Sequence, residues 1–194
     1  MRYIMLVLSF LLLSGCSFKE APVMKVYSLL IPHVSPVSGG EYRNKILKVS
    51  YPVGLGEKLT DGMLYSYSLS DSGEYLNSRW SNNIGRLLQG SMIQILSQSR
   101  LFKVVVPYTS NIEENLRLES TIFDFSHHVR GKDSYAVVSI QFTLTNAETG
   151  KLLKAKRFSY RENTPTTDAK GYAEATNRIM VKLSRDLVRW LKQD

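Results

Sequence analysis

The stretch from Leu116 to Tyr160 constrains the fold most, because it reads as one long strand followed by two more joined by tight turns. Its clearest part alternates: Ala136, Val138, Ile140, Phe142 and Leu144 face one way, and Ser139, Gln141, Thr143 and Thr145 the other. A period of two with one apolar set marks a half-buried antiparallel strand. Arg130-Gly131-Lys132-Asp133 supplies a turn before it, and in "NAETGK" Gly150 stands where a short hairpin loop needs positive φ. Leu152 to Tyr160 returns alongside. The leading strand is less regular. Leu116, Leu118 and Ile122 share one parity and Phe123, Phe125 and Val129 the other, so a bulge within Ser120 to Phe123 is needed to bring both sets to one face. The resulting three-stranded meander needs a cover for its apolar side.

Two amphipathic segments can provide that cover. Beyond Ser81, a candidate N-cap, Ile84, Leu87, Leu88, Met92, Ile95 and Leu96 form a helical stripe, with Arg86, Gln89, Gln94 and Gln98 opposite. After "ENTPTTDAK", Thr167 or Asp168 can cap a final helix lined by Tyr172, Thr176, Ile179, Met180, Leu183, Leu187, Trp190 and Leu191. Shorter extended pieces precede these: Val26 to Leu30, stopped by Pro32; Ile46 to Tyr51; and Gly62 to Leu69, turned by Asp71-Ser72-Gly73 into Glu74-Tyr75-Leu76. Leu101 to Val106 is a further strand ended by Pro107, and its β-branched run predicts an inner position. The expected class is α+β: a largely antiparallel or mixed β-sheet packed against two long α-helices, one central and one C-terminal.

The N-terminus is of another kind. Arg2 precedes a nearly unbroken apolar run from Ile4 to Leu13, and the small pair Ser14-Gly15 leads into Cys16. A bilayer span needs roughly 20 apolar residues, so this shorter run has the layout of an export signal. Leu13-Ser14-Gly15-Cys16 resembles the lipobox of bacterial lipoproteins. That resemblance implies a diacylglyceryl group on the Cys16 sulfur, cleavage before it and acylation of the new amine; the alternative is an ordinary signal peptidase site with Cys16 an incidental thiol. Several acyl chains, each buried CH₂ contributing about 0.8 kcal/mol, anchor durably where one is marginal. Ser17, rather than Asp, follows the cysteine, and the sorting pattern of such lipoproteins then implies the outer membrane. The expected organisation is a signal peptide over 1–15, acylated cysteine and tether over 16–24, and one domain over 25–194.

Composition sharpens this picture. Cys16 is the sole cysteine, so once acylated it leaves a chain that forms no intramolecular disulfide and must hold its fold by packing. The formal net charge is +8, with the basic residues scattered and no nucleic-acid-binding motif, so nucleic acid is not an expected partner. The charge suits either anionic headgroups, worth up to about 1 kcal/mol per well-placed cation, or simply a basic soluble surface.

No constellation of catalytic residues is visible. A G-x-S-x-G elbow is absent. His127 and His128 are strand neighbours that point to opposite faces, His33 lies in a separate loop, and no metal site is expected. "GLGEKL" at Gly54 to Leu59 fails both the phosphate-loop and the dinucleotide spacing. Glu113-Glu114 is expected to be a solvated pair without catalytic work, and Tyr65, Tyr67 and Tyr75 suit an apolar groove or a sheet edge. No cofactor is expected beyond the covalent lipid.

Cys16, "VYSLL", "YLNSRW" at Tyr75 to Trp80, "IGRLLQGSMIQILSQS", "LFKVVV" and the C-terminal helix ending near Trp190 together resemble the ABC-type transport auxiliary lipoproteins, the PqiC-like family. The resemblance implies a non-enzymatic, periplasm-facing lipoprotein. It would work with an ABC permease, an ATPase and an MCE-domain protein to move phospholipids or other hydrophobic molecules. Arg79 and Trp80 are the candidate partner contact, since Arg and Trp often anchor interfaces, against a covering role for Trp80 over the sheet. A lipoprotein supporting envelope or secretion-machine assembly is the alternative, and an envelope hydrolase a third reading that rests on no recognised motif. Symmetric self-association is a further expectation.

Overall fold

A computed structural model describes residues 22–54 and 59–193, so the signal-like segment, Cys16 and most of "GLGEKL" lie outside the described residues. In chain order the elements are β1 (Lys25–Tyr27), β2 (Ile46–Val49), β3 (Val53–Gly54), β4 (Gly62–Ser66), β5 (Ser72–Trp80), α1 (Ile84–Ser99), β6 (Val104–Pro107), β7 (Leu116–Arg130), β8 (Asp133–Asn146), β9 (Leu152–Asn163) and α2 (Ala169–Lys192). The α+β class follows, with a mixed sheet and two helices among the described residues.

β7 is the spine of the sheet. Along one edge it pairs antiparallel with β8, which pairs in turn with β9, giving the meander its alternation demands. Along the other edge three short strands run parallel to it, one after another: β2 beside Leu116 to Leu118, β3 beside Thr121 and Ile122, β4 beside His127 and His128. Beyond them β6 lies parallel to β2, while β5 returns antiparallel to β4 and carries β1. The helices cover one face, and Ala136, Val138, Ile140, Phe142 and Leu144 are sealed beneath them. The bulge falls at Phe123, where the β7–β8 register slips between Ile122 and Asp124. Leu116, Leu118, Ile122 and Phe125 thereby share the core, whereas Phe123 and Val129 are only half-buried, unlike the uniform inward set the parity suggested.

Several boundaries are set by contacts distant in sequence. β1 ends at Tyr27 because the next residues are held by α2: the Leu30 N–H donates to Asn177 Oδ1 at 2.7 Å, and Asn177 Nδ2 donates to the Ser28 carbonyl at 3.3 Å. The turn of the β4–β5 hairpin lies earlier than Asp71-Ser72-Gly73, with the Tyr67 N–H donating to the Asp71 carbonyl at 2.8 Å and Ser72 and Gly73 already in β5. β5 runs to Trp80, so Ser81 completes the join to β1 through Tyr27, and Asn83 caps α1 by accepting the Gly85 N–H at 2.8 Å. Gln89 and Gln98 are not on a solvent side: Gln89 Nε2 donates to the Val49 carbonyl at 2.9 Å, and Gln98 Oε1 accepts the Val34 N–H at 3.0 Å. β6 is an edge strand rather than an inner one, pairing with β2 alone among the described residues, and an edge tolerates Pro107, which lacks an N–H.

Asp168 is the cap of α2. Its Oδ1 accepts the Gly171 N–H at 2.9 Å and the Thr166 hydroxyl at 2.5 Å, and these bonds lower its pKa, the Thr166 bond foremost. The tightness of this turn leaves no room for a side chain at Gly171, whose Cβ would stand 2.2 Å from the Thr166 carbonyl oxygen. Gly171→Ala is therefore expected to destabilise the domain by about 1–3 kcal/mol despite alanine's better helix propensity, read as a lowered urea midpoint.

Candidate functional site

Trp80 closes β5 and points inward. It is 1% exposed, with its ring edge-on to Phe125 at 5.9 Å and to Tyr172 of α2 at 5.5 Å. Arg79, its strand neighbour, takes the opposite face, as the pleat requires. Its guanidinium is about half exposed, 3.8 Å from the Asp61 carboxylate, beside an open cleft of about 550 Å³ bounded by Val26, Thr60 and Asn82. The structure thus separates the two residues paired in sequence: Arg79 stands at the exposed face, and Trp80 belongs to the core.

Behind Trp80 lies a network that no sequence motif announces. His127 is fully buried, stacked on Tyr172 at 5.3 Å with an interplanar angle of 2°. Its Nδ1 lies 2.7 Å from the Tyr75 hydroxyl and its Nε2 2.5 Å from Ser134 Oγ, which is itself 2.5 Å from Thr164 Oγ1. A neutral imidazole offers one donor and one acceptor, so both ring nitrogens are satisfied without a charge. Burial pushes the His127 pKa down to about 4, opposed by Asp168 and assisted by His128, and burial likewise raises Tyr75 to about 12. Tyr65 joins Tyr75 at 5.1 Å and Tyr67 at 5.1 Å, extending the aromatic run to the hairpin tip. The Ser134–His127 pair has the composition of a nucleophile and base, but both residues are enclosed and the hydroxyl is shared with Thr164. Its evident work is satisfying buried polar groups.

The remaining charged candidates are also engaged. His128 takes the other face, as alternation demands: its Nε2 is 3.0 Å from Asp124 and its ring stacks on Tyr135 at 5.4 Å. Arg161 lies over the same Tyr135 ring at 3.4 Å, and Arg157 over Phe123 at 3.8 Å. Glu114 is not the solvated carboxylate its loop suggested. It is mostly covered, 2.6 Å from both Lys48 Nζ and Arg117 Nη2, and these bonds hold its pKa near 2. Glu114→Ala strands Lys48 and is expected to cost about 1–3 kcal/mol, with Lys48→Met restoring part of the loss in a double-mutant cycle. No group of three or more His, Cys, Asp or Glu residues among the described residues is placed to hold a metal ion.

The described residues thus form an α+β module whose buried histidine is sealed and whose clustered charges are largely paired with one another. The chain belongs to the family of ABC-type transport auxiliary lipoprotein components, whose model matches residues 69–188, from the hairpin tip through most of α2. No curated protein matches it. Among solved structures it is similar to protein XCC0632 from Xanthomonas campestris, of the family DUF330, at 15% identity and TM-score 0.76, covering 87% of this chain and 95% of that one. An uncharacterized protein matches at 15% identity and TM-score 0.65, over 86% and 97% of the two chains. The PelC dodecamer from Paraburkholderia phytofirmans matches at 11% identity and TM-score 0.51, over 83% and 95%. These likenesses show the fold. No helix among the described residues is long and apolar enough to cross a membrane.

Proposed function

We propose that this chain is a non-catalytic accessory subunit of an ABC/MCE-type system that moves phospholipids or other hydrophobic molecules. Lipid on Cys16 would hold it at the outer membrane, facing the periplasm. Its family membership over residues 69–188 carries the reading. The lipobox-like Leu13 to Cys16 and a tether of eight residues, 17–24, at about 3.3–3.6 Å each support the anchored geometry, keeping the domain within roughly 30 Å of its membrane. The sealed His127–Ser134 pair supports an absence of hydrolytic work. The partners are an MCE-domain protein, a permease and an ATPase, with Arg79 as an exposed contact, and self-association of the chain is part of the same proposal.

Affinity purification in mild detergent is expected to recover the MCE protein or its permease and ATPase, and deletion to shift the phospholipid distribution between membranes. Recovery of none of them, where a control complex survives, would sink the proposal. Assembly partners recovered with an unchanged lipid distribution would instead favour a structural lipoprotein of the envelope. Cys16→Ala is expected to abolish labelling from palmitate and move the protein from the membrane to the soluble fraction. Retained label or retained membrane partition in that variant would refute the anchor.

A further inference from the structure

β9 hydrogen-bonds to β8 and to no other strand among the described residues. Along its outer side, then, every second residue turns an N–H and a C=O away from the sheet, over a strand twelve residues long. Edges of that length are templates for another strand and are usually shortened, kinked or charged. β9 contains no proline, and its one register shift lies at its start, beside Leu144 and Thr145, so the guard it carries is charge, chiefly the cations Lys154, Lys156, Arg157 and Arg161.

The edge is also the wall of a groove. Lys156 to Tyr160 form one side, and Asp186, Arg189 and Trp190, spaced three and four residues apart on α2, form the other, around about 390 Å³. Aromatic rings lie within it: Phe158 meets Trp190 edge-on at 5.9 Å. Cations dominate the rim. Lys156 Nζ lies over the Phe158 ring at 5.0 Å, while Asp186 is engaged by the Tyr160 hydroxyl at 2.8 Å and by Arg189 at 3.4 Å.

We propose that the groove between β9 and α2 docks an extended acidic segment of a partner protein, which adds as a strand to β9 and sets its carboxylates against Arg157 and Arg161, the exposed cations that the pleat turns to the face away from α2. Main-chain bonds to the edge supply affinity, and alternate side chains, apolar into the groove onto Phe158 and Trp190 and acidic onto Arg157 and Arg161 on the opposite face, supply selectivity. A second copy of this chain is a poor occupant. Pairing two β9 edges would crowd Lys154, Lys156, Arg157 and Arg161 of both copies along one seam, with Glu162 the one acidic residue of each strand and already paired with Arg178 and Lys182, and like charges across a strand pair are destabilising. The inference rests on the accessory reading for the existence of a partner, and on the groove for that partner's chemistry.

The test uses the full-length lipoprotein in detergent micelles, with a labelled peptide alternating glutamate and valine and a lysine–valine counterpart. The acidic peptide is expected to bind, to slow hydrogen exchange at alternate amides of β9, and to bind about tenfold more weakly to the Arg157→Glu, Arg161→Glu double variant. The lysine peptide is expected to bind that variant better than it binds the unaltered protein. Equal binding of both peptides to the unaltered protein, protection away from β9, or no binding up to about 1 mM would overturn the proposal. Protection of β9 in the protein alone on self-association, or only with phosphatidylglycerol vesicles, would overturn it too, by assigning the edge to a second copy or to a membrane. Failure of the peptides while the transport components are still recovered from cells removes the groove and leaves the accessory reading in place.

Discussion

Replacing Trp80 by alanine is expected to destabilise the domain by about 3–5 kcal/mol, the largest single-residue effect in this structure. The indole is 1% exposed and wedged edge-on between Phe125 of β7 and Tyr172 of α2, so its removal opens a void where strand, spine and C-terminal helix meet. Close-packed surroundings relax only partly around such a void, and the lost contacts add to the lost transfer free energy. Thermal unfolding should shift downward by roughly 10 °C, at about 2–4 °C per kcal/mol for a domain of this size. Arg79→Ala, one position away on the exposed face, should change stability by no more than about 0.5 kcal/mol. Similar effects at the two positions would contradict the inward placement of Trp80. Conversely, an Arg79 variant that folds normally but loses partner recovery would support its role as a contact.

Acidification is expected to weaken the fold in two overlapping windows. His127 is held neutral, with its folded pKa near 4 against an ordinary value of 6.5. Between those values the unfolded chain binds a proton that the folded one refuses, so stability is full above about pH 6.5 and falls as pH drops toward 4. A shift of that size amounts to about 3 kcal/mol, at about 1.4 kcal/mol per pKa unit. Glu114 acts lower on the scale: its folded pKa near 2 against 4.5 contributes stability that is present above pH 4.5 and lost as pH falls toward 2. Urea midpoints measured from pH 7 to 3 should therefore decline in the unaltered protein. In His127→Gln the decline between pH 6.5 and 4 should be much shallower, even though the variant starts lower from its disturbed bonds to Tyr75 and Ser134. Parallel curves for the two proteins across that range would remove His127 as the source.

The parts of this chain legible from sequence are those whose signal is local. The alternation from Ala136 to Leu144 is a two-residue period set by the pleat, and it holds because the whole apolar set has one helix-covered face to occupy. Gly150 has the φ of +69° that its hairpin loop required. The parity conflict in β7 could bracket the bulge within four residues, but its position at Phe123 emerges only from the register with β8. The opposite facing of His127 and His128 was legible; the identity of their partners was not. Tyr75 is 52 residues from His127, and no spacing rule connects them. Ser81 is the cap the sequence suggests and Asn83 the one the structure uses, because the choice depends on how far β5 pairs with β1.

The sequence by itself determined the kinds of local structure: where the period is two, where it is 3.6, where the chain turns, and the lipobox-like run that ends in Cys16. Only the tertiary structure decided that, among the described residues, β6 is an edge and β9 leaves one side without a strand partner beside α2, that Arg79 and Trp80 part company, and that Glu114 is clamped rather than solvated. Periodicity records which side of an element is apolar, since that is a property of adjacent residues. Whether another element lies against that side, or against its hydrogen-bonding edge, depends on segments far along the chain, and that is settled only when they pack together.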